Sequence, residues 1–453
     1  MTEPTNVVLL AIDTLRADHL SCYGYPRLTS PHLDRLAADG TLFRDCVSPH
    51  IPTHPGFTTM LTGRDVFDHG IVSHAGAREL DPAVPVLAEL AGARGVQTAA
   101  VDNLGKWFRR GFDSYRPYEW DKDPIRPWRK AEAVNAPTLA ALDECAATDR
   151  PFFLFAHYWD PHTPYLPPPP FSRMFYGGDE RDPANRSMEK VFAFEPFRQY
   201  FEQWLPGVTD VRFPIAQYDA EIAYADAAIA HVLTRLDVLG LRERTLVMVV
   251  ADHGEIMDEQ VGYFDHHGLY EGNVQIPCIL SWPGRVPAGQ ARGGTVRMLD
   301  VAPTVLDALG LLDLALEQGL PGQSLLPLAE ARDDRGTVAE LYLTESTWMR
   351  KRAWRTREWK LIESLEPDFH GGPALELYDR ATDPTEQRNL ADQRPEIVRE
   401  LTARMHGHAR RRVAETGRPD PLETGQITLR QIGKMETAVP ADEKLYAEGG
   451  RDR

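Results

Sequence analysis

The sequence predicts an α/β fold, in which helices cover both faces of a mostly parallel central sheet and a small α+β unit follows. Three observations predict it. Five short, uninterrupted apolar runs read as strands buried on both faces. Amphipathic helical stretches separate these runs, as in βαβ units. After about residue 330 the pattern changes to alternating, charged strands. With 453 residues the chain exceeds one compact core. Residues 1–330 are therefore expected to form a large α/β domain, and residues 331–453 a small α+β subdomain with an extended tail.

In order, the expected strands are NVVLLAI (6–12), TAAV (98–101), FFLFA (152–156), TLVMVVA (245–251) and PCILSW (277–282). The expected helices cover 31–39, 84–94, 219–239 and 301–309, each with apolar residues at helical spacing. Residues 164–214 are rich in proline and aromatics with little periodicity, and read as a long excursion shaping a pocket rim. RAWRTREWKLIE alternates like an exposed antiparallel strand, LELYD is its expected partner, and DPTEQRNL reads as a turn before a helix.

The net charge of −17 argues against nucleic acid as a partner. An anionic ligand gains no long-range attraction, so any anion site must be locally positive. The four cysteines form no CxxC pair, which fits reduced thiols and a cytoplasmic location. The amino terminus has no basic n-region, and no apolar run approaches the roughly twenty residues that span a bilayer. A soluble protein without membrane partners is expected, and homo-oligomerisation is left open.

The ends of three runs carry the functional signal. The first ends at Asp13, the third at His157 with Asp160 and His162 behind it, and the fourth at Asp252 and His253. Ligands of open parallel sheets sit outside the carboxyl ends of strands. A lone Asp after a strand is more often a helix cap or a solvated loop residue; three such ends together point to a site. Asp and His are hard-to-borderline metal ligands, suited to Zn, Mn or Mg. HExxH, Walker A, GxSxG and GxGxxG patterns are absent. His266 and His267, on a Gly-punctuated loop, read equally as solvated residues or as a ligand or acid–base pair. In HIPTHPGFTTMLTG, Pro55 fits the first turn of a helix whose amino end holds Thr53. That end favours an anion, although Thr53 taken alone reads as an N-cap.

Nine segments carry a resemblance: NVVLLAIDTLRADHLSCYGY, SPHLDRLAADGTLFRDC, PTHPGFTTMLTGR, HYWDPHTPY, YDAEIAYADAAIAHVL, ADHGE, HHGLYEGNVQIPCIL, DVAPTVLDALGL and LYDRATDPTEQRNLA. In this order they resemble the sulfatase-like branch of the alkaline phosphatase superfamily, from residue 6 to about 392. The resemblance implies an alkaline-phosphatase-like three-layer α/β/α sandwich and a divalent metal, Zn or Mn first and Ca compatible, on Asp13, Thr53, Asp252 and His253. One metal is expected. A second, on Asp160, His162 and His267, is a further option, and with a single metal His162 or His267 would instead protonate a leaving oxygen.

The sequence departs from the usual sulfatase at several positions. Thr14 replaces the second Asp, Thr53 the Cys converted to formylglycine, and Phe57 the Arg of Cys-x-Pro-x-Arg, and His266 lies near a missing Lys. His74 lies where relatives place a substrate-contacting polar residue. LGKWFRRGFD is similar to the family's Gly-Lys-Trp-His with Phe108 at the His, although extra residues leave Lys106 equally a solvated loop residue, with Asn103 as the alternative contact. A Thr nucleophile resembles the superfamily's phosphodiesterases, phosphonate monoester hydrolases and phosphoethanolamine transferases. The leading expectation is thus hydrolysis of a small phosphoric or phosphonic ester with Thr53 as metal-bound nucleophile. The alternatives are a sulfuric ester hydrolase that does not use formylglycine, and a catalytically degenerate binding protein.

Overall fold

The computed structural model describes residues 5–74, 79–123, 126–331 and 337–425. The expected extended tail lies largely outside the described residues. Two sheets organise the chain. The central one contains β1 (Asn6–Ile12), β2 (Thr41–Val47), β4 (Gln97–Val101), β5 (Ser114–Arg116), β6 (Phe152–Tyr158), β7 (Thr245–Val250), β8 (Gln275–Ile276), β9 (Cys278–Ser281) and β10 (Gln290–Arg297). The other contains β3 (His50–Ile51), β11 (Glu340–Ser346), β12 (Arg350–Thr356), β13 (Trp359–Ser364) and β14 (Leu375–Asp379).

The nine-stranded sheet runs β10-β2-β9-β7-β1-β6-β4-β5, with β8 beside β2. β1 lies between β6 and β7 and parallel to both, every residue buried, as its unbroken apolar run requires. The Lys130–Ala146 and Arg212–Val238 helices pack together on one face, and the Thr53–Thr62 and Val301–Ala308 helices on the other. The result is the expected three-layer sandwich.

The PCILSW run differs from expectation: β9 is antiparallel to both β7 and β2. An apolar run reports burial on both faces but not direction. Between β7 and β9 the only helix is the four-residue Glu271–Val274 segment, so no crossover carries the chain back to the far end of the sheet.

The smaller sheet runs β14-β13-β12-β11-β3, antiparallel except where β11 pairs with β3. The RAWRTREWKLIE segment is buried rather than exposed, because the sheet is covered on both faces. Leu361 and Trp354 pack with Leu401 and Met405 of the Pro395–Thr416 helix, while Ala353 and Ile362 pack with Val47 and Ile51 of the main body. Its buried cations have acidic partners: Arg355 meets Asp45 at 2.5 Å and Glu271 at 2.9 Å, and Lys360 meets Glu386 at 2.6 Å. The 164–214 excursion carries only short helices, Glu189–Phe192 and Arg198–Trp204, before the long helix begins at Arg212. No helix among the described residues is long and apolar enough to cross a membrane.

Candidate metal centre and nucleophile

The carboxyl ends of β1, β4, β6 and β7 form one rim, and their residues converge there. Asp13 is fully buried, with Oδ2 3.2 Å from His157 Nε2. Asp252 Oδ1 accepts the backbone N–H groups of Thr14 (3.2 Å) and His253 (2.9 Å). Thr14 adopts φ 54°, a strained value for a β-branched residue, and this conformation aims its N–H at Asp252. His253 Nδ1 donates to the Gly254 carbonyl at 2.9 Å, which turns Nε2 into the cluster, 3.3 Å from Asp252 Oδ2 and 3.9 Å from Asp13 Oδ1.

Thr53 is the first residue of its helix, and its Oγ1 lies 3.1 Å from His253 Nε2. Gly56, one turn on, lets the helix approach: a Cβ there would meet the Asp252 carbonyl at 3.0 Å. The other threonines serve the helix. Thr58 and Thr62 donate to the carbonyls of His54 and Thr58, and Thr59 meets His69. Phe57, at the family's Arg position, sets its ring 4.6 Å from His157 and brings no charge.

Ligand atoms of Asp13, Asp252 and His253 lie within 4.8 Å of one another. Asp13 Oδ1 and Asp252 Oδ2 accept no hydrogen bond, although both are buried. Two such orphaned oxygens facing an imidazole nitrogen and a hydroxyl fit a divalent cation in donor chemistry and in charge. The electrostatics agree. Burial and then the Asp13 charge push Asp252 up to about 6. Burial also acts on Asp13, but the His157 hydrogen bond and nearby imidazoles outweigh it and hold Asp13 near 2.

His157 and Asp102 complete the cluster. His157 Nδ1 is 2.8 Å from Asp102 Oδ1, which follows β4. Burial opposes its charge, yet the bonds to Asp102 and Asp13 raise its pKa to about 9. Asp102 escaped the sequence reading; an Asp directly after the TAAV run was the available signal.

Three further imidazoles line the rim. The His266 ring sits 4.8 Å from His253, 4.9 Å from His162 and 4.9 Å from His267. His267 Nδ1 lies 2.7 Å from Asp265 Oδ1, and His162 Nδ1 donates to the Thr163 carbonyl at 2.7 Å.

Asp160 does not join a second metal group with His162 and His267. It faces Lys130 at 3.3 Å, and Lys130 reaches Glu221 at 2.8 Å, so its charge is met inside the fold. Among the described residues, the second grouping able to hold an ion is instead Asp265, His266 and His267. His74 Nδ1 lies 3.0 Å from Nδ1 of His54, the second residue of the Thr53–Thr62 helix. Lys106 pairs with Glu79 at 3.5 Å, and half-buried Asn103 follows Asp102.

With this geometry in place, comparison with known proteins defines the class. Residues 5–311 match the family described as Sulfatase, and residues 259–411 match N-sulphoglucosamine sulphohydrolase, C-terminal. The chain belongs to the sulfatase family, within the alkaline phosphatase superfamily, whose enzymes are hydrolases that use a divalent metal. An ulvan-active sulfatase of Formosa agariphila is 25% identical over 97% of this chain and 87% of its own length. Human arylsulfatase A is 26% identical over 95% of this chain and 93% of its own. A phosphonate monoester hydrolase of Agrobacterium radiobacter shares the fold with a TM-score of 0.70, at 22% identity over 91% of this chain and 96% of that one.

Proposed function

We propose that the chain is a metal-dependent hydrolase of small sulfuric esters that uses the unmodified Thr53 hydroxyl as nucleophile. The observation that carries this reading is Thr53 Oγ1 at a helix amino end, 3.1 Å from His253 Nε2 and beside two orphaned carboxylate oxygens. Relatives named as sulfatases favour a sulfuric ester over the phosphoric or phosphonic ester that leads from sequence alone. The second reading, a phosphonic or phosphoric ester, is supported by a Thr where sulfatases carry their modifiable Cys and by the phosphonate monoester hydrolase among the structural neighbours.

Asp13, Thr53, Asp252 and His253 would hold the ion, with Zn or Mn first and Ca next. When bound, it supplies positive charge that activates the Thr53 hydroxyl and offsets the charge of the ester. The helix amino end offers the ester oxygens free backbone N–H groups and the positive end of its dipole. Thr53 Oγ1 bonds to sulfur as the ester oxygen departs. The proton lost by Thr53 is balanced by one given to the leaving alcohol from His162 or His267, the latter oriented by Asp265. Water then releases sulfate and restores the Thr53 hydroxyl. A cytoplasmic setting is part of the proposal, supported by Cys22, Cys46, Cys145 and Cys278 standing as free thiols.

The test is a panel of aryl sulfate, phosphate, phosphodiester and phosphonate esters assayed with metal analysis, together with mass spectrometry of the Thr53 peptide after rapid quench. The expected result is a near-stoichiometric metal, sulfate turnover and a sulfo adduct on Thr53. Preferred turnover of phosphorus esters selects the second reading. A metal-free protein that turns over none of them would be a binding protein.

A further inference from the structure

The turn that follows β6 carries His162, and one buried cation grips that turn at both ends. Lys130 opens the Lys130–Ala146 helix and is fully buried. Its ammonium donates to the His162 backbone carbonyl at 3.0 Å and pairs with the Asp160 carboxylate, two residues earlier, at 3.3 Å. Glu221 of the Arg212–Val238 helix, equally buried, meets the same ammonium at 2.8 Å. An ammonium carries three N–H groups, and three oxygens surround this one. Glu221 also holds the far end of the loop, because its Oε1 accepts the Leu166 N–H at 2.7 Å.

The turn in its own geometry fixes the imidazole. The His162 N–H donates to the Trp159 carbonyl at 2.9 Å, and the Trp159 ring stacks on the imidazole at 5.0 Å. His162 Nδ1 donates to the Thr163 carbonyl at 2.7 Å, so proton exchange falls to Nε2. The backbone of residues 160–162 therefore sets where Nε2 points, and Lys130 holds that backbone.

Stability alone does not account for a lysine here. Burying an ammonium with two carboxylates is costly, and well-packed apolar side chains of similar volume often serve stability as well or better. An apolar side chain cannot donate to the His162 carbonyl while it draws in Asp160. The ammonium contributes geometry, and a reacting group displaced by about 1 Å can lose on the order of a hundredfold in rate.

We propose that Lys130 is a positioning residue for proton transfer: by gripping the turn from Asp160 to His162 it aims His162 Nε2 at the leaving oxygen. The proposal rests on the hydrolase reading above, and of the two imidazoles named there it acts through His162. As the sulfur–oxygen bond of the ester breaks, Nε2 gives its proton to the departing oxygen, and it takes one back from the water that releases sulfate.

Lys130→Met removes the donor. Because that variant strands two carboxylates, Lys130→Met combined with Glu221→Gln is made beside it, and its Gln still accepts the Leu166 N–H. Each is compared with the wild-type holoenzyme on phenyl sulfate, whose leaving oxygen needs a proton, and on 4-nitrophenyl sulfate, whose leaving oxygen departs without one. Should phosphorus esters be the ones turned over, the phenyl and 4-nitrophenyl esters of that acid take their place. The expected result is a fall in kcat of about tenfold or more on the phenyl ester, with KM and the 4-nitrophenyl rate within about twofold. In a His162→Gln background, Lys130→Met should bring no further loss on the phenyl ester. Parallel losses on the two esters mark a merely structural role and overturn the proposal, as does an unchanged phenyl rate or a full further loss in the His162→Gln background. If the wild type turns over no ester, the hydrolase reading fails, and imidazole nitrogen NMR decides the role of Lys130 by itself. The His162 signals, assigned with His162→Gln, should report one Nδ1–H tautomer in the wild type and shift or divide in the double variant. Unchanged signals would show that Lys130 does not hold the imidazole.

Discussion

Two pairs of buried carboxylates border the same rim and are neutralised differently. Asp160 and Glu221 share Lys130, whose ammonium lies 3.3 and 2.8 Å away. Asp13 and Asp252 have imidazoles and backbone N–H groups around them, and each keeps one oxygen that accepts no hydrogen bond. The first pair also keeps oxygens that accept no hydrogen bond, but it has an ammonium as its counter-charge, and that ammonium braces the loop by donating to the His162 carbonyl at 3.0 Å. Among the described residues the second pair has no lysine or arginine beside it, and the proposed cation would supply that charge. The same residue types are structural where the chain supplies the counter-charge, and functional where it withholds it.

The largest expected effect lies with the second pair. Thr53→Val should cut kcat about a thousandfold or more while near-UV circular dichroism stays unchanged; turnover near wild type would move the nucleophile elsewhere. In the first pair, Lys130→Met strands two buried carboxylates and should cost about 3–5 kcal/mol in urea unfolding at pH 7. Metal-free Asp252→Asn, which removes a repelling charge, should be as stable as wild type or more so. Equal losses in the two variants would erase the contrast.

Adding Zn or Mn at about a hundred times its Kd should stabilise wild type by about 2.7 kcal/mol, read as a rise in Tm, and Asp13→Asn should abolish that rise. An undiminished rise in Asp13→Asn would place the ion elsewhere.

Asp226 shows a third way to bury a carboxylate, by protonation. Burial raises it from 3.8 to about 7, although the N–H groups of His32 and Leu33 pull it down. The folded state therefore binds the proton more tightly than the unfolded chain. Its contribution is fully present below about pH 4 and is lost as pH rises through about 7. Asp226→Asn should flatten the stability profile between those values, by at most about 1.4 kcal/mol per pH unit. A variant with the wild-type slope would remove Asp226 as the cause.

Much of this was legible in the sequence, and the rest was hidden for definite reasons. β1 occupies the expected residues 6–12, because the six apolar residues in a row from Val7 to Ile12 can be satisfied only between two helix layers. Asp13, Asp252, His253 and Thr53 meet as expected, since strand ends of a parallel sheet share one side. The direction of β9 and the burial of β12 were not legible, because both depend on where distant segments return. Asp102 was missed for the same reason: its partner His157 is 55 residues away, on another strand. Asp160 was misplaced because nothing near it in sequence announces Lys130 or Glu221.

β3 carries a consequence for the order of assembly. His50 and Ile51 pair with β11 immediately ahead of Pro52 and Thr53, and His50 Nδ1 meets Thr344 Oγ1 at 2.8 Å across 294 residues of chain. During synthesis the large sheet can collect its strands well before β11 emerges, but until then His50 and Ile51, which lead into Thr53, lack their strand partner. A nascent or prematurely terminated chain should therefore be well folded and inert, and lesions in the second sheet should register first as lost turnover.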